Sequence, residues 1–353
     1  MKVMTVIGAR PQFVKAAVIS RAFKEHRKDV QEVIVHTGQH YDANMSDVFF
    51  DDLKIPKPDF NLGIGGGSHG RNTGRMLEKI EALIINESPD CVLVYGDTDS
   101  TLAGALAASK LHVPVAHVEA GLRSFNKRMP EEINRILTDH VSTFLLAPTN
   151  TAKDNLLKEG FKKDNVFTTG DVMCDATLFY REMAKFPKEI SSDHHDLSDF
   201  VLCTIHRAEN TDEPARLKEI LKGLGRCNKK IILPLHPRAR SKISNYGIRL
   251  PDNILVIDPV GYLEMVWLES HCKMVATDSG GVQKEAYLLG KPCVTLRDET
   301  EWVELVSSGW NRLAGSDAEL ISGLIESFPA VAERPSLYGD GNAGKEIVNL
   351  LKF

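Results

Sequence analysis

Thr277-Asp278-Ser279-Gly280-Gly281-Val282-Gln283-Lys284-Glu285 has the residue types and spacing of a phosphate cradle. Lys273 to Thr277 is a short apolar run of strand character, and Val282 to Leu289 carries a helical pattern. Ser279, Gly280 and Gly281 therefore fall at a helix N-terminus, where unpaired backbone N–H groups and the positive end of the helix dipole face outward together. The glycines let an anion reach the backbone with no Cβ in the way. Glu285 stands about one turn further on, where a carboxylate accepts hydrogen bonds from ribose hydroxyls, so a nucleoside diphosphate satisfies both features. Taken alone, the same residues also read as a Ser279 cap followed by a glycine turn.

In open parallel sheets ligands bind beyond the carboxyl ends of the strands, and several strand ends in this chain are polar. Asp97 in Tyr95-Gly96-Asp97-Thr98 and Glu119 in His117-Val118-Glu119-Ala120-Gly121 close consecutive strand candidates, and Glu131 follows Pro130 at a helix start. Each could be a cap. Three carboxylates at one rim shift one another's pKa values and are costly unless chemistry or cations use them. Gly8-Ala9-Arg10-Pro11-Gln12-Phe13 follows the first strand, with Lys15 on the next helix. It is not G-x-G-x-x-G, so NAD chemistry lacks its fingerprint. Arg10 and Lys15 read as donors to a phosphate or sugar substituent, or as a solvated helix start. His36 and His40 lack partners at ligand spacing, so no metal site is expected there. In the second half, His206-Arg207 and His236-Pro237-Arg238 close two strands, and His206 and Arg207 lie near Ser279–Gly281 if the sheet order is conventional.

The elements that must position these residues alternate from end to end. Strands are predicted at Val3–Ile7, Glu32–His36, Cys91–Tyr95, Val115–Val118, Thr143–Ala147 and Val166–Thr168, with helices at Gln12–Lys24, Thr73–Asn86, Ser100–Lys110, Pro130–His140 and Thr151–Glu159. A second strand series runs through Phe200–Ile205, Lys230–Leu235, Asn253–Ile257, Lys273–Thr277 and Cys293–Leu296. Alternation of this kind predicts parallel sheets with crossover helices. At 353 residues the chain exceeds one usual domain, and two doubly wound α/β domains are expected, with a boundary in the region 170–199. Gly344–Phe353 is amphipathic and fits against either domain. The net charge of −5 is made of interspersed charges, which supports neither nucleic-acid binding nor a membrane patch. Six scattered cysteines without a C-x-x-C pair fit a reducing compartment, and no apolar run is long enough for a signal peptide or a span. A cytoplasmic protein is expected.

Gly8-Ala9-Arg10-Pro11, Gly96-Asp97-Thr98, His117 to Arg123, Pro130-Glu131-Glu132-Ile133-Asn134-Arg135, His206-Arg207 and Asp278 to Glu285 together resemble the non-hydrolysing UDP-N-acetylglucosamine 2-epimerases over nearly the whole chain. The resemblance implies a glycosyltransferase-B-like pair of Rossmann-like domains with the active site in the interdomain cleft, usually dimeric. The domains implied are residues 1–170 with 344–353, carrying the carboxylates, and residues 171–343, carrying the UDP site. It also implies roles: Asp97, Glu119, Glu131 and His206 as catalytic groups, and Arg10, Lys15, Arg207, Ser279, Gly280, Gly281 and Glu285 on the UDP-sugar. No metal or other cofactor is implied, and the product would serve surface polysaccharide biosynthesis. Val260, Met265 and Glu301-Trp302-Val303-Glu304 depart from the best-known members, as does the compact loop Arg123 to Met129. They resemble a subgroup that includes the UDP-2,3-diacetamido-2,3-dideoxyglucuronate 2-epimerases of O-antigen pathways. Arg123, Lys127 and Arg128 would suit the C6 carboxylate of such a sugar.

The chemistry fits the residues. C2–H of a 2-acetamido pyranose is not acidic until the C1–O bond to UDP breaks and the ring gains oxocarbenium character. A carboxylate then removes the proton to leave a glycal and UDP, and re-protonation on the other face with return of UDP inverts C2. A UDP-sugar glycosyltransferase is the rival reading; it would share the cradle but needs an acceptor groove and typically one base.

Overall fold

The computed structural model describes residues 1–39, 50, 53–190, 197, 199–331 and 333–352. Two compact units divide the chain. Met1–Ala176 with Ser336–Phe353 form one and Thr177–Pro335 the other. The sequence reading drew these boundaries at 170/171 and 343/344. They fall a little further along and a little earlier because the first turn of the helix Val172–Arg181 and the stretch from Ser336 both belong to the first unit, where the Asp171 amide donates to the Tyr338 carbonyl at 3.0 Å.

The first unit is a seven-stranded parallel sheet built from β1 (Lys2–Ile7), β2 (Gln31–His36), β3 (Phe60–Asn61), β4 (Cys91–Tyr95), β5 (Val115–Val118), β6 (Phe144–Ala147) and β7 (Val166–Thr168). Its order is β3-β2-β1-β4-β5-β6-β7, so the chain reverses direction across the sheet between β1 and β4. The connecting helices include α1 (Arg10–His26), α2 (His69–Glu87), α3 (Asp99–Lys110), α4 (Pro130–Val141), α5 (Asn150–Lys158) and α6 (Val172–Arg181). Central strands such as Cys91-Val-Leu-Val-Tyr95 are buried along their whole length, as expected of strands covered on both faces. One side of the core joins Met4, Val6, Val92 and Val94 to Met76, Ile80 and Ile84 of α2 and to the alanines of α3.

The second unit holds β8 (Phe200–Thr204), β9 (Lys230–Pro234), β10 (Ile254–Ile257), β11 (Met274–Thr277), β12 (Cys293–Thr295) and β13 (Asn311–Leu313). They pair in parallel in the order β10-β9-β8-β11-β12-β13. Around them lie α7 (Ala208–Thr211), α8 (Pro214–Gly225), α9 (Pro237–Asn245), α10 (Tyr262–His271), α11 (Gly280–Leu288), α12 (Val303–Ser307) and α13 (Ala318–Glu326). The last helix, α14 (Ala343–Leu350), packs on α1 of the first unit, and the Ala343 and Gly344 amides donate to Asp175 at 3.1 and 2.9 Å. This decides between the two placements the sequence allowed.

All six cysteines are buried and unpaired. Burial pushes the Cys91, Cys272 and Cys293 thiols up to about 12, which makes them inert packing groups. Among the described residues no helix is long and apolar enough to cross a membrane, and no group of three or more His, Cys, Asp or Glu is placed to hold a metal ion. His40 lies outside the described residues.

Candidate active site

The point in a doubly wound sheet where strand order reverses leaves a crevice beyond the strand ends. In the first unit that point lies between β1 and β4. Gly8 follows β1 here because a Cβ would enter the shells of Ser100 Oγ and Thr37 Oγ1. Gln12, fully packed, ties the turn to the next strand: its Oε1 accepts from the amides of Gly8 and Ala9 at 2.8 and 2.9 Å, and its Nε2 donates to the Tyr95 carbonyl at 2.7 Å. Pro11 in the first turn suits the start of α1. Arg10 opens that helix, and its side chain lies outside what the structure describes.

Two of the three expected carboxylates meet at this rim, each against a cation. Lys15 Nζ forms a close ion pair with Glu119 Oε2, and Arg135 Nη2 does the same with Asp97 Oδ2. The Glu119 oxygen lies next to Gly96, 3.2 Å from where a Cβ would stand. Glu119 itself sits at φ 72°, a left-handed conformation costly for a side-chain-bearing residue and typical of functional sites. Arg135 also donates to Glu132 at 2.9 Å, and Glu132 accepts from the amides of Ser124 and Phe125 at 2.9 and 2.8 Å, which shapes the compact loop before α4. Glu131 lies in the first turn of α4, exposed, so the structure places it on the same helix as Arg135 but not in the cluster of paired carboxylates.

A buried network carries the two loops. His117 Nε2 donates to the Gly96 carbonyl and its Nδ1 meets Asp139 Oδ1, both at 2.7 Å, and neither His117 nor Asp139 is exposed. Asp139 Oδ2 also accepts from the Gly121 amide at 3.1 Å and pairs with Arg123 at 2.7 Å. One carboxylate thus ties the turn before Asp97 to the turn after Glu119. Arg123 completes a fork on Glu159, both bonds at 2.7 Å. It is buried and engaged, so it is not the free cation for a sugar carboxylate that the sequence suggested; Lys127 and Arg128 remain exposed.

In the second unit the order reverses between β8 and β11, which brings His206, Arg207 and the Ser279 turn together as expected. Ser279 caps α11, its Oγ accepting from the Val282 amide at 3.4 Å, and the first-turn amides of Gly280 and Gly281 have no carbonyl four residues back. Gly280 is needed because a Cβ would run into Glu301 Oε1 and approach Trp302 Nε1 at 3.3 Å. Glu301 is in turn held by Arg297 at 2.8 Å and lies 4.0 Å from Arg207. Asp278, fully buried, accepts from the His206 and Arg207 amides at 3.1 and 3.0 Å and from Asn210 at 3.0 Å, and it contacts His206 Nδ1 at 3.0 Å. Burial alone pushes this carboxyl up, but the hydrogen bond and charge of His206, with Asn210 and the Arg207 amide, outweigh it and hold it below the ordinary aspartate value. With Nδ1 turned to Asp278, the half-exposed His206 ring offers Nε2 outward. Glu285, nearly buried on α11, accepts from the Tyr262 hydroxyl at 3.1 Å.

Gln12, His117, Asp139, Arg135 and Asp278 were not assigned roles from sequence. Gln12 and Asp278 lie inside the quoted motifs, and Arg135 and Asp139 lie one and two turns along the helix that Glu131 opens, so position relative to the motifs was the available signal. A hollow of about 590 Å³ lined by Glu219, Lys222, Arg226 and Asp298 in the second unit contains none of these residues; strand-end topology, not concavity, marks the site.

Known proteins share the sequence and the fold of this chain. The profile of the UDP-N-acetylglucosamine 2-epimerases matches residues 21–352. A UDP-2,3-diacetamido-2,3-dideoxy-D-glucuronate 2-epimerase of Pseudomonas aeruginosa is 54% identical over 99% of both chains. A UDP-N-acetylglucosamine 2-epimerase of Escherichia coli is 35% identical over 100% of this chain and 98% of its own length. The crystal structure of Methanocaldococcus jannaschii UDP-GlcNAc 2-epimerase in complex with UDP-GlcNAc and UDP superposes with a TM-score of 0.89 at 43% identity, covering 99% of each chain.

Proposed function

Since the chain belongs to the UDP-N-acetylglucosamine 2-epimerase family and is a UDP-sugar 2-epimerase, an isomerase, we propose that it converts UDP-N-acetylglucosamine to UDP-N-acetylmannosamine by eliminating UDP and adding it back. The observation that carries this reading is the pairing of Asp97 and Glu119 with cations at one switch point while the Ser279–Gly281 turn occupies the other. One rim is suited to protons, the other to pyrophosphate.

In the reading, the Gly280 and Gly281 amides and the dipole of α11 take up the charge of departing UDP, and Glu285 accepts from the ribose hydroxyls. His206, oriented by Asp278, donates from Nε2 toward the pyrophosphate as the C1–O bond breaks. A carboxylate of the Asp97, Glu119 and Glu131 set removes the C2 proton, giving the glycal; a proton is then delivered to C2 from the other face as a UDP oxygen re-forms the bond to C1. Lys15 and Arg135 hold the carboxylates in place and offset their charge. Arg10 belongs to the same set as a donor to the nucleotide.

A second reading, UDP-2,3-diacetamido-2,3-dideoxyglucuronate, is favoured by the Pseudomonas relative and by exposed Lys127 and Arg128 on the loop before α4. The engagement of Arg123 by Asp139 and Glu159 weighs for the sugar without a C6 charge. A homodimer and a cytoplasmic setting belong to the same proposal. Exposed Ile133 and Leu137 lie about one turn apart on α4, of the kind a subunit contact covers, and unpaired thiols suit a reducing compartment. The test is turnover of both sugars in D2O. The elimination reading expects deuterium at C2 of the product and traces of free UDP and glycal, with Asp97→Asn and Glu119→Gln slowing inversion far more than they weaken binding. Product that keeps its original C2 hydrogen would overturn it.

A further inference from the structure

Behind Glu285 lies a second carboxyl that the reaction does not use. Glu269 on α10 is wholly buried, and neither of its oxygens has a conventional donor among the described residues. The charged group that faces it is the Glu285 carboxyl from α11. Neutral titratable groups stand with them: the Tyr262 hydroxyl on the same helix, which donates to Glu285 Oε1 at 3.1 Å, and the thiols of Cys272 and Cys293. Tyr180 stands edge-on to the Tyr262 ring at 5.3 Å. Lys291 acts on Cys272, and among the described residues no cation acts on Glu269.

Two carboxylates in one dry site cannot both stay ionised without a compensating cation. Burial first, and the charge of Glu285 second, push Glu269 well above the usual glutamate range. Glu285 is the member that keeps a hydroxyl donor and stands nearer the rim.

We propose that Glu269 retains a proton and donates it to the Glu285 carboxylate, so that Glu269 and Tyr262 together fix the orientation in which Glu285 accepts the ribose hydroxyls of the nucleotide. Glu269 is then a positioning residue for nucleotide binding. The inference rests on the reading of Glu285 as the ribose acceptor. As pH rises through the raised value of Glu269, the proton leaves, Glu285 loses a donor and gains a like charge behind it, and nucleotide affinity falls on the alkaline side.

UDP titrations by calorimetry, from neutral pH through the alkaline range, test this with the full-length protein, Glu269→Gln and Glu269→Met. Glutamine keeps a donor and cannot ionise, so it should match the parent at neutral pH and stay flat where the parent weakens. The ionisation of the UDP phosphate is common to both and cancels in the difference. Methionine supplies no donor and should bind roughly tenfold more weakly at every pH. It removes a buried acid, so it should unfold no more easily than the parent. Glu269→Gln falling with pH as steeply as the parent, or Glu269→Met binding as tightly, would overturn the proposal; if Glu269→Met does not fold, the glutamine profile decides alone. Glu285→Ala and 2′-deoxy-UDP separate the two layers. If neither weakens binding, the ribose reading fails and takes the inference with it; if both do while the Glu269 variants behave as the parent, the inference alone fails.

Discussion

Asp278→Asn is expected to unlock the nucleotide rim of the second unit. The buried carboxylate is loaded on both oxygens: Oδ1 faces the His206 amide and Nδ1, while Oδ2 faces the amides of His206 and Arg207 and Asn210 Nδ2. With its NH2 at the Oδ2 position the asparagine amide meets three donors, the amides of His206 and Arg207 and Asn210 Nδ2, and at the Oδ1 position it meets the His206 amide while both oxygens' charge is lost. Bonds to a charged acceptor contribute about 1.5–3 kcal/mol each, so two lost bonds set an upper range of about 3–6 kcal/mol, and local relaxation brings the expectation to about 3 kcal/mol. All three tryptophans, Trp267, Trp302 and Trp310, belong to the second unit, so tryptophan fluorescence in urea follows that unit without assuming that the whole chain unfolds in one step. The sign with pH is set by the depressed carboxyl. Its stabilisation is fully present above the unfolded value, about 3.9, and is lost as pH falls through the lower folded value. The gap between parent and variant should therefore hold at neutral pH and close only in acid. A gap below about 1 kcal/mol at neutral pH, or one that persists unchanged in acid, would refute the reasoning.

Gly280→Ala should reduce UDP affinity by roughly tenfold or more, because the new methyl displaces Glu301 and Trp302 from beside the cradle; calorimetry reads it. Lys15→Met leaves Glu119 without its ammonium partner at a nearly buried position, so kcat for inversion should fall while UDP affinity changes little, which steady-state kinetics beside UDP binding would show. Asp139→Ala strips the acceptor from His117, Gly121 and Arg123 together. Breaking such a buried pair costs about 3–5 kcal/mol, and hydrogen exchange should rise in the turns at Gly96 and Gly121 while the second unit keeps its protection.

What sequence alone could reveal follows from how parallel sheets are made. Central strands such as Cys91–Tyr95 and Val115–Val118 stand in the structure where the apolar runs placed them, since a strand covered on both faces needs an uninterrupted apolar segment. The short edge strands Phe60–Asn61 and Asn311–Leu313 carry too few residues for a periodic signal and were missed. The helix starts were legible through Pro11 and Pro130 and through the Ser279 cap, although Arg10 proved to open α1 where the reading began it at Gln12. The rim residues were legible for the same reason as the strands: a polar residue directly after a buried strand has one place to go. Their partners were not. Lys15 meets Glu119 across 104 positions and Arg135 meets Asp97 across 38, and no local period relates residues brought together by strand order. Like-charged crowding, inferred from Asp97 and Glu119 at consecutive strand ends and Glu131 at a helix start, has a different resolution at each rim. At the first, a cation from another helix stands against each of two carboxylates. At the second, no cation among the described residues acts on Glu269, and a proton held between the two carboxyls takes its place. Affinity at the nucleotide rim should therefore respond to alkaline pH, and the test of Glu269→Gln asks whether that substitution of a proton for a counter-ion is what aims Glu285.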